Sequence, residues 1–265
     1  MKKLIAFDLD GTLADSKSPP DDRMTELLAQ LLTKFEVCVI SGGKFEQFKK
    51  QLLNGLQATP TQLESLHLMP TCGTQYYRYD IGKDDWHQIY AENLTEPEKK
   101  QIVDALNKGF DHFGIKEKET YGEIIEDRGS QITYSVLGQD IVDVLGKEGV
   151  KRKEEWDPDN SKKLAVRDYV ADLIPDFEVR AGGVTSIDVT KQGIDKAYGM
   201  RKLMEMLEIG KDDILFVGDR LQEGGGFVLA PGARQCLEII IGRQRCPTAL
   251  PLQAALQQLP GHALH

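Results

Sequence analysis

The chain has few of the residues that staple or metallate small folds. Its four cysteines, at positions 38, 72, 236 and 246 of 265, include no Cys-x-x-Cys pair, and its five histidines form no pattern with them. That excludes a disulfide framework and a zinc-finger type of site. Long apolar runs are missing too. Only Leu4, Ile5, Ala6 and Phe7 stand between Lys3 and Asp8, too few for the hydrophobic region of a secretory leader, and no later stretch reaches the length of a bilayer span. A cytoplasmic location is the resulting expectation. There is also no excess of positive charge: 42 acidic against 33 basic residues give a formal charge of -9, which leaves no footprint for nucleic acid or an anionic membrane. An anionic ligand must be met by local groups, not by the overall field. Internal repeats, low-complexity tracts and heptads are likewise absent, and a 40% hydrophobic content supplies a core for one large or two modest domains.

What is present reads as alternating strands and helices at both ends of the chain. Leu4 to Phe7 is a short apolar strand emptying into Asp8-Leu9-Asp10-Gly11-Thr12. Met24, Leu27, Leu28, Leu31, Leu32 and Phe35 follow helical spacing, and Glu36 to Ile40 reads as a strand ending at Ser41-Gly42-Gly43. A helix from Phe45 to about Leu53 and a strand from Leu66 to Met69 follow. The middle differs: an aromatic hairpin from Gln75 to Tyr90, a helix opened by Thr95-Glu96-Pro97-Glu98 with a capping-box pattern, strand pairs around Asp127 to Ser130 and around Gly182-Gly183, and a helix from Asn160 to Leu173. After Gly193 the first pattern resumes, with a helix from about Lys196 to Leu207 and a strand from Ile214 to Val217 before Gly218-Asp219. The fold expected is α/β, a doubly wound, mostly parallel sheet core of residues 1–81 and 190–265, carrying an inserted α+β cap of residues 82–189.

Three strands thus end in polar clusters, and in open α/β sheets ligands bind beyond the carboxyl ends of the strands. Asp8 and Asp219 are oxygen donors suited to a magnesium ion, which keeps waters and substrate phosphate in its other positions. A carboxylate such as Asp8 can attack phosphorus to form an aspartyl-phosphate, and Asp10, two residues on, can serve as acid and then base. Ser41, Gly42 and Lys196 are candidate phosphate binders. Each feature has an ordinary structural explanation as well: an Asp-rich turn, a serine N-cap, a surface lysine, an exposed strand face. Their joint order along the chain favours a site.

Phe7-Asp8-Leu9-Asp10-Gly11-Thr12-Leu13 resembles the first motif of the haloacid dehalogenase superfamily, and Ser41, Lys196 and Gly218-Asp219 resemble its second, third and fourth. Asp10 joins Asp8 and Asp219 as a metal-binding position in that comparison. Within the superfamily the chain resembles the eukaryotic-type phosphomannomutases and their bacterial relatives, through Ile40 to Glu46, Ile124 to Gly129, Gly182 to Val189 and Gly193 to Lys196. That resemblance implies a Mg2+ cofactor, a small phosphorylated substrate held in the cap by Arg128, Ser186 and Asp188, an active site closed by the cap, and a homodimer through the cap.

The departures point elsewhere. Where the mutases carry further cap arginines, this chain has Gln139 and Lys118-Glu119-Thr120-Tyr121, so a phosphatase acting on a sugar phosphate is the leading expectation and a hexose-phosphate mutase the second. The fourth motif continues as Gly225-Gly226-Phe227 where the family has Asn-Asp. From Gly226 onward there is no lysine, no aspartate and one glutamate, Glu238. Divergence and a reading-frame change both account for this end, and a degenerate protein that binds phosphorylated ligands with impaired catalysis is a third reading.

Overall fold

The computed structural model describes residues 2–15 and 18–218. In chain order its elements begin with β1 (Leu4–Asp8), α1 (Asp22–Leu31), β2 (Glu36–Ile40), α2 (Phe45–Phe48), which runs on through a π-helical turn at Lys49–Leu53, α3 (Pro60–Leu63), β3 (Leu66–Met69), β4 (Gln75–Asp80) and β5 (Asp85–Ala91). There follow α4 (Glu96–His112), β6 (Ile125–Asp127), β7 (Ile132–Ser135), α5 (Ile141–Leu145), α6 (Lys147–Trp156), α7 (Ser161–Leu173), β8 (Phe177–Ala181), β9 (Ser186–Lys191), α8 (Lys196–Leu207) and β10 (Ile214–Val217). They fall into two compact units, Ala91–Ile194 and the chain on either side of it. Among the described residues no helix is long and apolar enough to cross a membrane.

The described residues of the larger unit form a six-stranded sheet in the order β10-β1-β2-β3-β4-β5. β1 pairs in parallel with both β10 and β2, β2 with β3 likewise, and β3 with β4 is antiparallel. All five residues of β1 are buried, because both of its faces are covered. Ile5 and Phe7 pack with Met24, Leu27, Leu28 and Leu31 of α1, while Leu4 and Ala6 pack with Met200 and Leu203 of α8. Helices therefore flank the sheet on both sides, and this is a doubly wound α/β layer. Each of these large side chains contributes roughly 1.5–3 kcal/mol by leaving water.

The smaller unit is an antiparallel sheet, β6-β7-β9-β8. Ile132, Ile187, Val189 and Val179 pack beneath Ile102, Leu106 and Phe110 of α4 and Val166 and Val170 of α7. The Thr95 hydroxyl and the Glu98 carboxylate cap α4 reciprocally, as the sequence pattern leads one to expect. Two points differ from the sequence reading. The units divide at Tyr90 and Ile194, beyond the expected limits of 81 and 190, because β5 continues the hairpin into the larger sheet and the turn after β9 stays with the smaller one. The sequence also gives no element to residues 141–156, where α5 and α6 form. Only Gly149 and Lys153 of α6 are buried, so the helix has no apolar stripe to read.

A polar pair lies inside the larger sheet. His67 on β3 is fully buried, with Nε2 2.8 Å from a Glu36 carboxylate oxygen and Nδ1 2.7 Å from the Tyr76 hydroxyl. Burial holds its pKa below the ordinary value of 6.5, so the native ring is neutral, donating to Glu36 and accepting from Tyr76. The hydrogen bond from His67 in turn holds Glu36 below the usual carboxylate range. Below about pH 6.5 the unfolded chain binds a proton at His67 that the native one does not, so stability falls as the pH falls through that range. Denaturant midpoints at about pH 7.5 and about pH 5.5 should show this loss, and His67→Gln should reduce the slope.

Candidate active site

Asp8 is the last residue of β1 and lies level with Ile40 in the β1–β2 register. Phe7 lies level with Val217 of β10, and Gly218 follows as the last described residue. The chain leaves β1 in a tight loop: Leu13 N and Ala14 N donate to Leu9 O at 3.0 and 3.1 Å, and Gly11 N donates to Ala14 O at 2.7 Å. Gly11 sits at φ 80, a left-handed backbone that glycine adopts without strain. This loop holds Asp8 and Asp10 at the carboxyl edge of the strand, with Asp8 only 9% exposed.

Each Asp8 oxygen has a donor. Leu9 N donates to Oδ1 at 2.8 Å, and Lys196 Nζ lies 2.6 Å from Oδ2, with both side chains of that pair largely buried. Such a pair is held by mutual attraction, and removing one partner leaves a charge in poor solvent. Asp10 is met by amides: Gln51 Nε2 donates to Oδ1 at 3.0 Å and Gln47 Nε2 to Oδ2 at 3.5 Å. Ser41, buried at the end of β2, accepts from Gly43 N at 3.3 Å, while Cys72 N donates to Ser41 O at 2.9 Å and Thr71 N to Gly43 O at 3.0 Å. Ser41 and Gly42 thus sit in a loop tied to the turn after β3.

Lys196 begins α8, whose N-cap is Asp195, its carboxylate accepting from Tyr198 N at 2.6 Å. The helix reaches that position because Gly199 presses against the turn at Thr71 to Gly73. A Cβ on Gly199 would lie 2.8 Å from Ile40 Cδ1, 2.9 Å from Cys72 O and 2.9 Å from Gly73 Cα. Two glycines face to face therefore set the depth at which the lysine is delivered to Asp8.

The sequence-inferred residues Asp8, Asp10, Ser41, Gly42 and Lys196 all belong to one sheet edge; Asp219 lies outside the described residues. The donors at the end of β1 are carboxylate oxygens, with no thiolate or imidazole among them, which is the chemistry that suits magnesium. Among the described residues no group of three His, Cys, Asp or Glu side chains forms a complete metal cage. Asp8 and Asp10 would supply oxygen donors to a magnesium ion bound there.

Arg128, Ser186 and Asp188 form a second group, within the smaller unit. Its register sets Glu126 opposite Thr133, Thr133 opposite Asp188 and Asp188 opposite Arg180, on the sheet face away from α4 and α7. Ser186 shares that face by the period of two. Thr133 donates to Asp188 Oδ1 at 2.7 Å, and burial raises the Asp188 pKa against the opposing influence of Arg128. Arg128 donates from Nε to Glu126 at 2.7 Å and from a terminal nitrogen to Gln139 at 3.4 Å.

Reading the sequence alone misses Gln47, Gln51, Gly73 and Gly199 in the larger unit and Glu126, Thr133 and Arg180 in the smaller. A signal exists for some of them. Gln47 and Gln51 are four apart on a helix that follows the Ser41 loop, and the cross-strand partners follow once register is known. The two glycines meet across more than a hundred residues, and nothing local marks them.

The chain belongs to the haloacid dehalogenase-like hydrolase family, which it matches over residues 5–222. Among curated proteins it is 26% identical over 240 residues to a phosphomannomutase of Encephalitozoon cuniculi, covering 84% of this chain and 82% of that one. It is 24% identical over 222 residues to the 5-amino-6-(5-phospho-D-ribitylamino)uracil phosphatase YbjI of Escherichia coli, covering 82% and 78%. The Plasmodium falciparum IMP-nucleotidase shares the fold with a TM-score of 0.60 at 17% identity, over 89% of this chain and 63% of that longer one. The family members named here include both phosphatases and phosphomutases, and the chain is an enzyme of that kind acting on a phosphorylated substrate.

The glycine contact gives a direct test. Gly199→Ala should lower stability by about 1–3 kcal/mol through overpacking and reduce turnover as Lys196 withdraws. Gly210→Ala, where a Cβ meets nothing nearer than 3.9 Å, should change neither in thermal melts and rate assays.

Proposed function

We propose that the chain is a magnesium-dependent phosphatase for a small phosphorylated metabolite, in the first instance a sugar phosphate, with Asp8 as its nucleophile. The observation that carries this reading is the buried Asp8–Lys196 pair at the carboxyl edge of the parallel strands, with a second carboxylate, Asp10, two residues on. Bound to Asp8 and Asp219, with Asp10 contributing through its main-chain carbonyl so that its carboxyl stays free to carry a proton, magnesium would supply charge neutralisation for the phosphoryl oxygens.

The protein's own groups account for the bond changes. An Asp8 oxygen forms the new O–P bond as the ester P–O bond breaks, and the leaving oxygen takes the proton held by the Asp10 carboxyl. Water then attacks the aspartyl-phosphate, giving a proton to the Asp10 carboxylate; the Asp8 O–P bond breaks, inorganic phosphate leaves and Asp8 is restored. Lys196 holds Asp8 in place, and together with Ser41 and the amide of Gly42 it binds phosphoryl oxygens. Arg128, Ser186 and Asp188 are assigned to the non-reacting part of the substrate.

A mutase is the second reading, favoured by the phosphomannomutase relatives. Against it, Gln139, at the position where the resemblance implies a further arginine, accepts a hydrogen bond from Arg128. Conversion of a hexose 1-phosphate to the 6-phosphate, dependent on a bisphosphate, would establish the mutase.

Phosphate release should be measured over a panel of pentose and hexose phosphates with magnesium or EDTA. Turnover should require magnesium, disappear in Asp8→Asn and fall about 10²- to 10⁴-fold in Asp10→Asn. Full activity in Asp8→Asn, or in EDTA, would sink the proposal.

A further inference from the structure

We infer that Gln51, oriented by Gln47, is a positioning residue that holds the Asp10 carboxyl for proton transfer; this rests on the acid/base role proposed for Asp10. Gln51 is 3% exposed, and its side-chain NH2 donates to Asp10 Oδ1 at 3.0 Å and to Asp15 O at 3.4 Å. Which way the amide points is decided by its neighbour. Gln47 Nε2 donates to Gln51 Oε1 at 3.0 Å, so the oxygen of Gln51 is turned to Gln47 and its nitrogen to Asp10. Rotating the amide would set an oxygen against the carboxylate and two NH2 groups against each other, losing both bonds.

The platform beneath is rigid. Gln51 lies in the π-helical turn Lys49–Leu53, between Phe48 and Leu52, both fully buried in the core of the larger unit. Such wide turns interrupt the regular helix and recur at functional sites, where they re-aim a side chain. Gln47 is fixed against the phosphate-binding loop, since a Cβ on Gly43 would lie 2.4 Å from its Oε1. One amide chain thus links the Ser41 loop to the acid/base residue.

Proton donation matters only where the leaving oxygen is a poor leaving group. An alkoxide needs the proton of Asp10 as the P–O bond breaks, whereas p-nitrophenolate leaves without it. Loss of positioning should therefore be selective. In Gln51→Leu, kcat/KM on a sugar phosphate should fall about 10- to 100-fold, while kcat/KM on p-nitrophenyl phosphate falls less than about threefold; this ratio reports the steps up to departure of the leaving group and leaves out hydrolysis of the aspartyl-phosphate, where Asp10 serves both substrates alike. Asp10→Asn should show the same selectivity more strongly. Equal losses on both substrates would make Gln51 an ordinary packing residue, and no loss would remove its role altogether; either overturns the inference while leaving Asp8 and Asp10 in place. If Asp10→Asn itself shows no selectivity, the acid/base reading fails and takes the inference with it. Should Gln51→Leu not fold, Gln47→Ala at its half-buried position must give the same selective pattern, smaller in size.

Discussion

Strand β1 has no solvent-facing side. It is paired in parallel on both edges and covered by α1 on one face and α8 on the other, so its residues must be apolar until the strand ends. Where it ends, the chain must turn sharply, and the first carboxylates of the segment emerge together at the sheet edge. The placing of Asp8 and Asp10 depends on this constraint more than on any single contact. A strand with one wet face would not hold them at a fixed depth.

The other groups are brought to that edge by separate means. Ser41 comes from the register of β2, one residue beyond the partner of Asp8. Lys196 comes from a helix whose approach is set by the Gly73–Gly199 contact. The amides of Gln47 and Gln51 come from the helix that the Ser41 loop begins. A buried carboxylate with a lysine on one oxygen and a backbone amide on the other is already neutralised and oriented before any ligand arrives, and preorganisation of this kind is a large part of phosphoryl-transfer catalysis.

Much of this was legible in the sequence, for physical reasons that differ from element to element. Strands β1, β2, β3 and β10 are short apolar runs that turn polar at their ends, and α8 begins at Lys196, where the helical spacing begins. The capping box at Thr95 and Glu98 marked α4. Asp8, Asp10, Ser41 and Lys196 could be named because each sits at the end of such an element. The partners could not: Gly199 matters through an atom of Gly73, and Gln51 through an amide orientation set by Gln47. Helix α6 escaped because its faces are almost all charged, and the hairpin of β4 and β5 was divided because its pairing to β3 is not written in local pattern.

The central claim is that Asp8 carries the phosphoryl group. Its most direct test is to quench the enzyme with acid during turnover of a phosphate ester and map the phosphorylated peptide by mass spectrometry. The account predicts a base-labile phosphoryl adduct on Asp8 that is absent from Asp8→Asn. An adduct on another residue, or turnover with none at any quench time, would contradict it.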